Sequence, residues 1–280
     1  MTAPRPHRLR PGQILSHLVL LVLGFLFLFP FYVMVLTSLR SPAELFTPTF
    51  RWLPEQFVGL QYYIQALTEV PTLTFLKNGA IIAGGILIVQ VLTAIPCAYA
   101  LAKFEFRGRD TLFAVVLFSL TVPIQAPALP LYLGLNAIGA LDTYFAAMAP
   151  FFLSVFAIFL FRQTFRSFPD EIIQAARIDG MSEWGILWTI VVPGSFPAIA
   201  AFAVFSVTTH WNDLYWPLIV LRSNDLMTPP LGLAYFADSE SGANYGALMA
   251  TSVLLSAPLL VGFLLAQRQF IRGITMTGVK

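Results

Sequence analysis

The side chains able to do chemistry within apolar sequence gather in one stretch, Ser206-Val-Thr-Thr-His-Trp-Asn-Asp-Leu-Tyr-Trp-Pro217. On a continuous helix turning ~100° per residue, Ser206, His210, Asp213 and Pro217 share one face, with Thr209 and Trp216 beside it. A charge in hydrocarbon costs at least ~2.5–3.5 kcal/mol, so this face is expected to turn toward protein or a wet cavity. Three uses fit. The stripe can line a path for a hydroxyl-rich solute, with Ser206, His210, Asn212 and Asp213 as hydrogen-bonding groups and indoles such as Trp216 as stacking faces. It can be a polar clamp between helices, with His210 and Asp213 paired. It can relay protons, although one Asp–His pair is little for a proton-coupled carrier.

Independent enzymatic chemistry finds no support. There is no G-x-x-x-x-G-K-[ST] phosphate loop, no H-E-x-x-H and no paired His/Cys spacing. A nucleophile–base–acid set would need His210, because His7 and His17 lie at the edge of the first apolar run. Cys97 is the only cysteine, which excludes an intrachain disulfide.

A second polar segment, Phe168-Pro-Asp-Glu-Ile-Ile-Gln-Ala-Ala-Arg-Ile-Asp-Gly180, separates two apolar stretches. Pro169 suits the start of a helix, and Asp170 and Glu171 suit its positive end. Ala175 and Ala176 are expected to leave a flat surface for another protein. Gly180 is placed to end the helix in the left-handed conformation. Ser182 is placed to cap the next helix, through Trp184, Leu187 and Trp188 to Pro193. The product is a helix-turn-helix knob; an amphipathic hairpin lying on lipid headgroups is the alternative.

The elements that must position these residues are membrane spans. The chain is 58% hydrophobic and 11% charged, with mean hydropathy +0.77 and net charge +2. Soluble domains carry roughly 25% charged residues, so a bilayer is the expected solvent. Nucleic-acid binding is not indicated. Six spans are expected, at about 16–38, 78–102, 112–134, 144–162, 196–220 and 246–267. The first is read as retained, being too long for a signal-peptide core. The third contains Pro123, Pro127 and Pro130 around Gln125. Its freed carbonyls call for a cavity or protein neighbours, or else the prolines simply end the helix.

With both termini inside, the cytoplasmic loops hold Arg5, Arg8, Arg10, Lys103, Arg107, Arg109, Arg162, Arg166, Arg177, Arg268, Arg272 and Lys280. The outer loops hold only Arg40, Arg51, Lys77 and Arg222. This bias puts the knob in the cytoplasm. Outside, residues 39–77 form a long loop whose aromatics can sit at the headgroups, and 221–245 forms a polar loop. The organisation read from this is an N-terminal tail 1–15, one permease domain 16–267 with a core at 72–267 and the knob at 163–195, and a C-terminal tail 268–280.

The knob resembles the EAA motif of ATP-binding-cassette importer permeases of the carbohydrate-uptake type, P-x-E-L-x-E-A-A-x-I-D-G-A followed by I-x-x-P. Pro169, Glu171, Ala175, Ala176, Ile178, Asp179, Gly180, Ile190 and Pro193 match; Gln174 replaces the second glutamate and Met181 the last alanine. Tyr99–Arg109, Trp211–Leu218 and Gln267–Lys280 also resemble stretches of that family, in order along the chain. The resemblance implies an all-α type I importer permease fold with six transmembrane helices in the bacterial inner membrane. It implies a second homologous permease as partner in a heterodimer, two copies of a cytoplasmic ATPase that bind ATP and Mg, and an extracytoplasmic solute-binding protein. No cofactor is expected in this chain. Glu171, Gln174, Ala175, Ala176, Asp179 and Gly180 would couple to the ATPase; Gln125, Ser206, His210, Asn212, Asp213 and Trp216 would line the solute path. The outer loop 221–245 would meet the binding protein. Cargo would be sugars, polyols or glycerol phosphates; a non-carbohydrate solute, or an ion-driven secondary transporter, are the alternatives.

Overall fold

Long apolar runs leave the backbone no partner in lipid but itself, and helix is the regular structure these runs adopt. The computed structural model describes residues 11–45, 51–239 and 244–276. Among these, the only β-type pairing is an isolated bridge between Arg40 and Phe57. The helices of five residues or more among the described residues are α1 (Pro11–Thr37), α2 (Gln61–Thr68), α3 (Thr72–Lys103), α4 (Arg109–Ser119), α5 (Ala128–Ala137), α6 (Tyr144–Met148), α7 (Val155–Arg166), α8 (Asp170–Ile178), α9 (Glu183–Gly194), α10 (Phe196–Trp211), α11 (Tyr215–Val220), α12 (Pro229–Ser239) and α13 (Tyr245–Met276). Residues 11–15 and 268–276, expected as tails, are helical; 1–10 and 277–280 lie outside the described residues.

Among the described residues, three helices are long and apolar enough to cross a bilayer alone: α1, α3 and the Tyr245–Leu265 part of α13. Two more candidate spans are bent pairs, Tyr144–Phe151 with Val155–Arg166 at 45° and Glu183–Gly194 with Phe196–Trp211 at 78°. The expected third span is instead split into α4 and α5, so five of the six expected spans are long and apolar enough to cross a bilayer when each bent pair is taken as one span. Prolines cause the split. Between Ser119 and Ala128, amide groups of Val122, Ala126 and Ala128 reach carbonyls only three residues back, at 3.0–3.3 Å. Tight turns of this kind are what remain when proline removes the helical donor.

The chain divides into two units, one running to Val70 and including Phe236–Leu254, the other Pro71–Tyr235 with the residues from Leu255 on. In the first, Tyr62 and Ala66 of α2 pack with Ala247 and Ala250 of α13. Trp52, expected at headgroups, packs its ring against Phe25, Phe29 and Tyr32 of α1 at 6.1–6.2 Å. Glu44 accepts the amides of Glu55 and Gln56.

The second unit is organised on α3, which packs chiefly against α7 and α10. Ala94 and Ala98 of α3 and Ala157 of α7 are fully buried, and such small side chains let helices approach closely where no water drives them together. The same core takes in Ile173 and Ala176 of α8, Ile186, Leu187 and Val191 of α9, and Phe202 of α10. The knob helices are therefore seated in the core that holds the spans.

Candidate functional site: a seated knob and a polar-ended cavity

The knob forms as its local signals dictate. Asp170 and Glu171 occupy the first turn of α8. At the other end Gly180 has φ +81°, its amide reaches the Arg177 carbonyl, and the Met181 amide reaches the Ala176 carbonyl. This paired closure is the Schellman arrangement, which needs a left-handed residue at its corner. Ser182 then caps α9 by accepting the Gly185 amide at 3.2 Å. Within α9, Leu187–Val191 widens into a π turn, and Gly194 meets the Phe168 ring at the bend into α10.

Exposure divides the motif. Glu171, Gln174, Ala175, Asp179 and Gly180 are exposed, whereas Ala176 is buried with Ile173. Only one alanine of the pair thus contributes to an outer surface; the other fixes α8 to the core. Ile178 is 86% exposed and Trp184 62% exposed, giving the tip two apolar side chains. Sequence reasoning did not single these out as contact residues, although their place beside the Asp179-Gly180 corner was a usable signal.

Polar ties join the knob to the end of α3. Lys103 Nζ donates to the Phe168 carbonyl at 2.7 Å and to Asp170 at 2.5 Å. The Tyr99 hydroxyl donates to Glu183 at 2.9 Å, and Arg177 donates to the same carboxylate at 2.6 Å. Arg162, expected in a loop, lies buried in α7: its Nε donates to the Leu101 carbonyl at 3.1 Å and its guanidinium lies 3.6 Å from the Phe113 ring centroid. Gln174 faces a recess of about 370 Å³ shared with Lys103, Glu105, Arg109, Asp170 and Arg177.

The polar stripe is not one helical face. α10 ends at Trp211 and α11 begins at Tyr215. Pro217 explains the break, since its ring excludes the carbonyl four residues back, which is that of Asp213. Asp213 sits in the gap and accepts the Trp216 amide at 3.4 Å. The stripe and the proline-broken segment meet at a cavity of about 370 Å³. Its polar lining comes from Gln90, Gln125, Ser154, Thr209, His210 and Asp213; its rings include Phe151, Phe156, Tyr215 and Trp216.

Of the residues expected on a solute path, Gln125, His210, Asp213 and Trp216 line this cavity. Ser206 is buried and donates to Gln90 Oε1 at 2.6 Å, while exposed Asn212 bonds back to the Thr208 carbonyl at 2.8 Å. Trp216 is held by its indole N–H on the Ala146 carbonyl at 2.9 Å. His210 and Asp213 form neither a hydrogen bond nor an ion pair with each other; Gln90 of α3 is the histidine's partner, at 3.3 Å. Gln90 and Thr93 also donate to the carbonyls of Phe151 and Phe152, at 2.9 and 3.0 Å, where the bend between α6 and α7 interrupts helical pairing. Gln90 was not among the residues expected at the site.

The segment 221–245, expected as a polar outer loop, is built rather than featureless. It holds a 3₁₀ turn at Asn224–Leu226 and α12, with 240–243 outside the described residues. Buried Asn78 donates to the carbonyls of Asp225 and Met227 at 2.8 and 3.0 Å and accepts the Tyr144 hydroxyl at 2.6 Å. Asp142 accepts the amides of Arg222 and Ser223 at 2.8 and 3.0 Å.

Residues 90–276 match the model of the binding-protein-dependent transport system inner membrane component family. Over 268 residues, 93% of this chain and 96% of the relative, the chain is 36% identical to the arabinooligosaccharides transport system permease protein AraQ of Halalkalibacterium halodurans. It is 33% identical to the lactose transport system permease protein LacG of Rhizobium radiobacter, over 95% of this chain and 96% of that one. In fold it is similar to a chain of a bacterial ABC transporter involved in the import of the acidic polysaccharide alginate, with TM-score 0.81 and 23% identity over 95% of this chain and 99% of that one. The fold is that of a type I importer permease, and the chain belongs to the family of binding-protein-dependent transport system inner membrane components.

Proposed function

We propose that this chain is one permease subunit of an ATP-driven importer of sugars or related hydroxylated solutes, forming half of the translocation path beside a second, homologous permease. The named cargoes of AraQ and LacG support a carbohydrate. The knob at 169–193 couples the chain to two copies of a cytoplasmic ATPase, which hold the ATP and Mg. A solute-binding protein delivers cargo on the opposite side. The excess of Lys and Arg in the loops assigned to the inside supports cytoplasmic termini and a cytoplasmic knob.

The observation that carries this reading is the build of the knob: its tip is exposed, while Ile173, Ala176, Lys103 and Tyr99 tie its base into the span core. A lever needs this division, because force applied at the tip reaches the helices only through a stiff base. Glu171, Gln174, Ala175, Asp179 and Gly180 form the surface that meets the ATPase, and Ala176 anchors it. Gln125, His210, Asp213 and Trp216 face the solute, with Ser206 behind them and Asn212 beside them.

The test is solute-stimulated ATP hydrolysis and uptake by the four-part complex in proteoliposomes. Asp179→Arg and Gly180→Pro are expected to abolish uptake while leaving the subunit in the membrane. Uptake that survives both changes would remove the coupling assignment, and uptake driven by an ion gradient without ATP would replace the mechanism.

A further inference from the structure

Gln90 makes three contacts from one fully engaged amide. Its Nε2 approaches the Phe151 carbonyl at 2.9 Å and His210 Nε2 at 3.3 Å, and its Oε1 receives the Ser206 hydroxyl at 2.6 Å. The Phe151 carbonyl can only accept, so the amide atom facing it must be the nitrogen, and the orientation of Gln90 is fixed. That nitrogen carries only donors. The ring nitrogen it faces, His210 Nε2, must therefore accept, and the proton of the neutral imidazole resides on Nδ1. Among the described residues Nδ1 has no hydrogen-bond partner, and His210 lines the cavity. Asp213 lines the same cavity and is the one ionisable carboxylate there; no Lys or Arg contributes to its wall.

We infer that Gln90 is a positioning residue that holds His210 with its proton on Nδ1, so that the cavity offers an N–H donor and the Asp213 carboxylate acceptor to a neutral, hydroxyl-bearing solute. A hydroxyl both donates and accepts, and so satisfies the pair. A phosphate or carboxylate solute meets the Asp213 charge with no cation in the wall to offset it. The inference rests on the reading of the cavity as part of the solute path.

The chain has three histidines, so His7→Gln with His17→Gln leaves His210 as the single one. In the complete importer, with this subunit labelled at the histidine ring nitrogens, NMR at pH 7 reads the tautomer directly. The expected state is protonated Nδ1 and bare Nε2. Gln90→Leu is expected to mix the tautomers and to raise the KM for lactose or arabinotriose uptake about tenfold, the order expected for one misplaced hydrogen-bond donor, with little change in Vmax. Ser206→Ala leaves the amide nitrogen on Phe151 and is expected to keep the native tautomer. A proton on Nε2 in the native chain overturns the inference without needing any variant. So does a Gln90→Leu change that moves neither tautomer nor KM, or saturable uptake of sn-glycerol 3-phosphate by the native complex. Failure of the underlying path reading looks different: His210→Ala and Asp213→Asn would then leave uptake unaltered while the tautomer result stood.

Discussion

The Tyr99 hydroxyl lies 2.9 Å from the Glu183 carboxylate, and Arg177 reaches the same carboxylate from α8 at 2.6 and 3.3 Å. One acidic group thus joins the end of α3, the tip of α8 and the start of α9. Tyr99 itself is buried in the span core. Tyr99→Phe removes only the hydroxyl and keeps the ring packed on Phe104 and Phe165. The expected result is an intact complex whose solute transported per ATP falls about tenfold, the low end expected for one hydrogen bond to a charged group. The ratio of uptake to ATP hydrolysis in proteoliposomes measures this; an unchanged ratio would make the contact purely structural.

Two glycines of the knob separate torsional from steric cost. Gly180 has φ +81° with open space where a Cβ would stand, so Gly180→Ala is expected to cost only the left-handed penalty, ~1–2 kcal/mol. Gly194 has no such torsion, but a Cβ there would fall 2.6 Å from Phe168. Gly194→Ala must displace that ring at the 78° bend and is expected to cost more. Pairing it with Phe168→Leu should recover part of the loss, whereas the same change should do nothing for Gly180→Ala. Thermal unfolding of the detergent-purified complex distinguishes the two.

What the sequence disclosed followed the range of the interactions. The knob was legible because Asp170, Gly180 and Ser182 act within four residues of themselves, through first-turn charge, a left-handed corner and a cap. The spans were legible from hydrophobic length, except where Pro123, Pro127 and Pro130 divided one into α4 and α5. The polar stripe was legible as a set but not as a geometry. A helical wheel carried from Ser206 to Pro217 assumes an unbroken helix, and Pro217 itself breaks it. The partners of the stripe were not legible at all: Gln90 stands 116 residues from Ser206 and 120 from His210, and nothing local marks it. The burial of Ala176 beside exposed Ala175 was not legible either, because which of two adjacent alanines faces inward is set by what α8 packs against.

Asp142 is held in the left-handed region at φ 59° and clasps the segment after α11 through the amides of Arg222 and Ser223 and the Ser223 hydroxyl. These donors, the Arg222 amide foremost, hold its carboxyl below the usual carboxylate range. The stabilisation is therefore complete above the unfolded value of ~3.9 and is lost as pH falls through the lower folded value. Asn tolerates the same backbone, so Asp142→Asn isolates the charge. At pH 7 the variant is expected to be less stable by about 1 kcal/mol, since the group is partly solvated. Unfolding midpoints of the two proteins should converge as pH drops below about 4; a gap independent of pH would show that the charge is not the source.

Asn78 offers the sharpest test of how the segment after α11 is positioned. Its side chain is fully buried, with the amide nitrogen on the carbonyls of Asp225 and Met227 and the amide oxygen under the Tyr144 hydroxyl. Asn78→Asp preserves shape and the contact with Tyr144 but places a carboxylate oxygen against two carbonyls. An ionised group there faces repulsion from both, and a protonated one can satisfy only one of them. Asn78→Ala merely leaves the polar atoms unpaired, at ~1–3 kcal/mol for each group that water cannot reach. The isosteric change is therefore expected to be the more damaging of the two. Tyr144→Phe added to Asn78→Ala should cost little further, because the hydroxyl has already lost its acceptor. Protease cleavage within 221–229 is the direct readout: it should be slow in the native protein, faster in Asn78→Ala and fastest in Asn78→Asp. The opposite order for the two Asn78 variants would mean that the carbonyls find other donors and that Asn78 does not set the path of the segment.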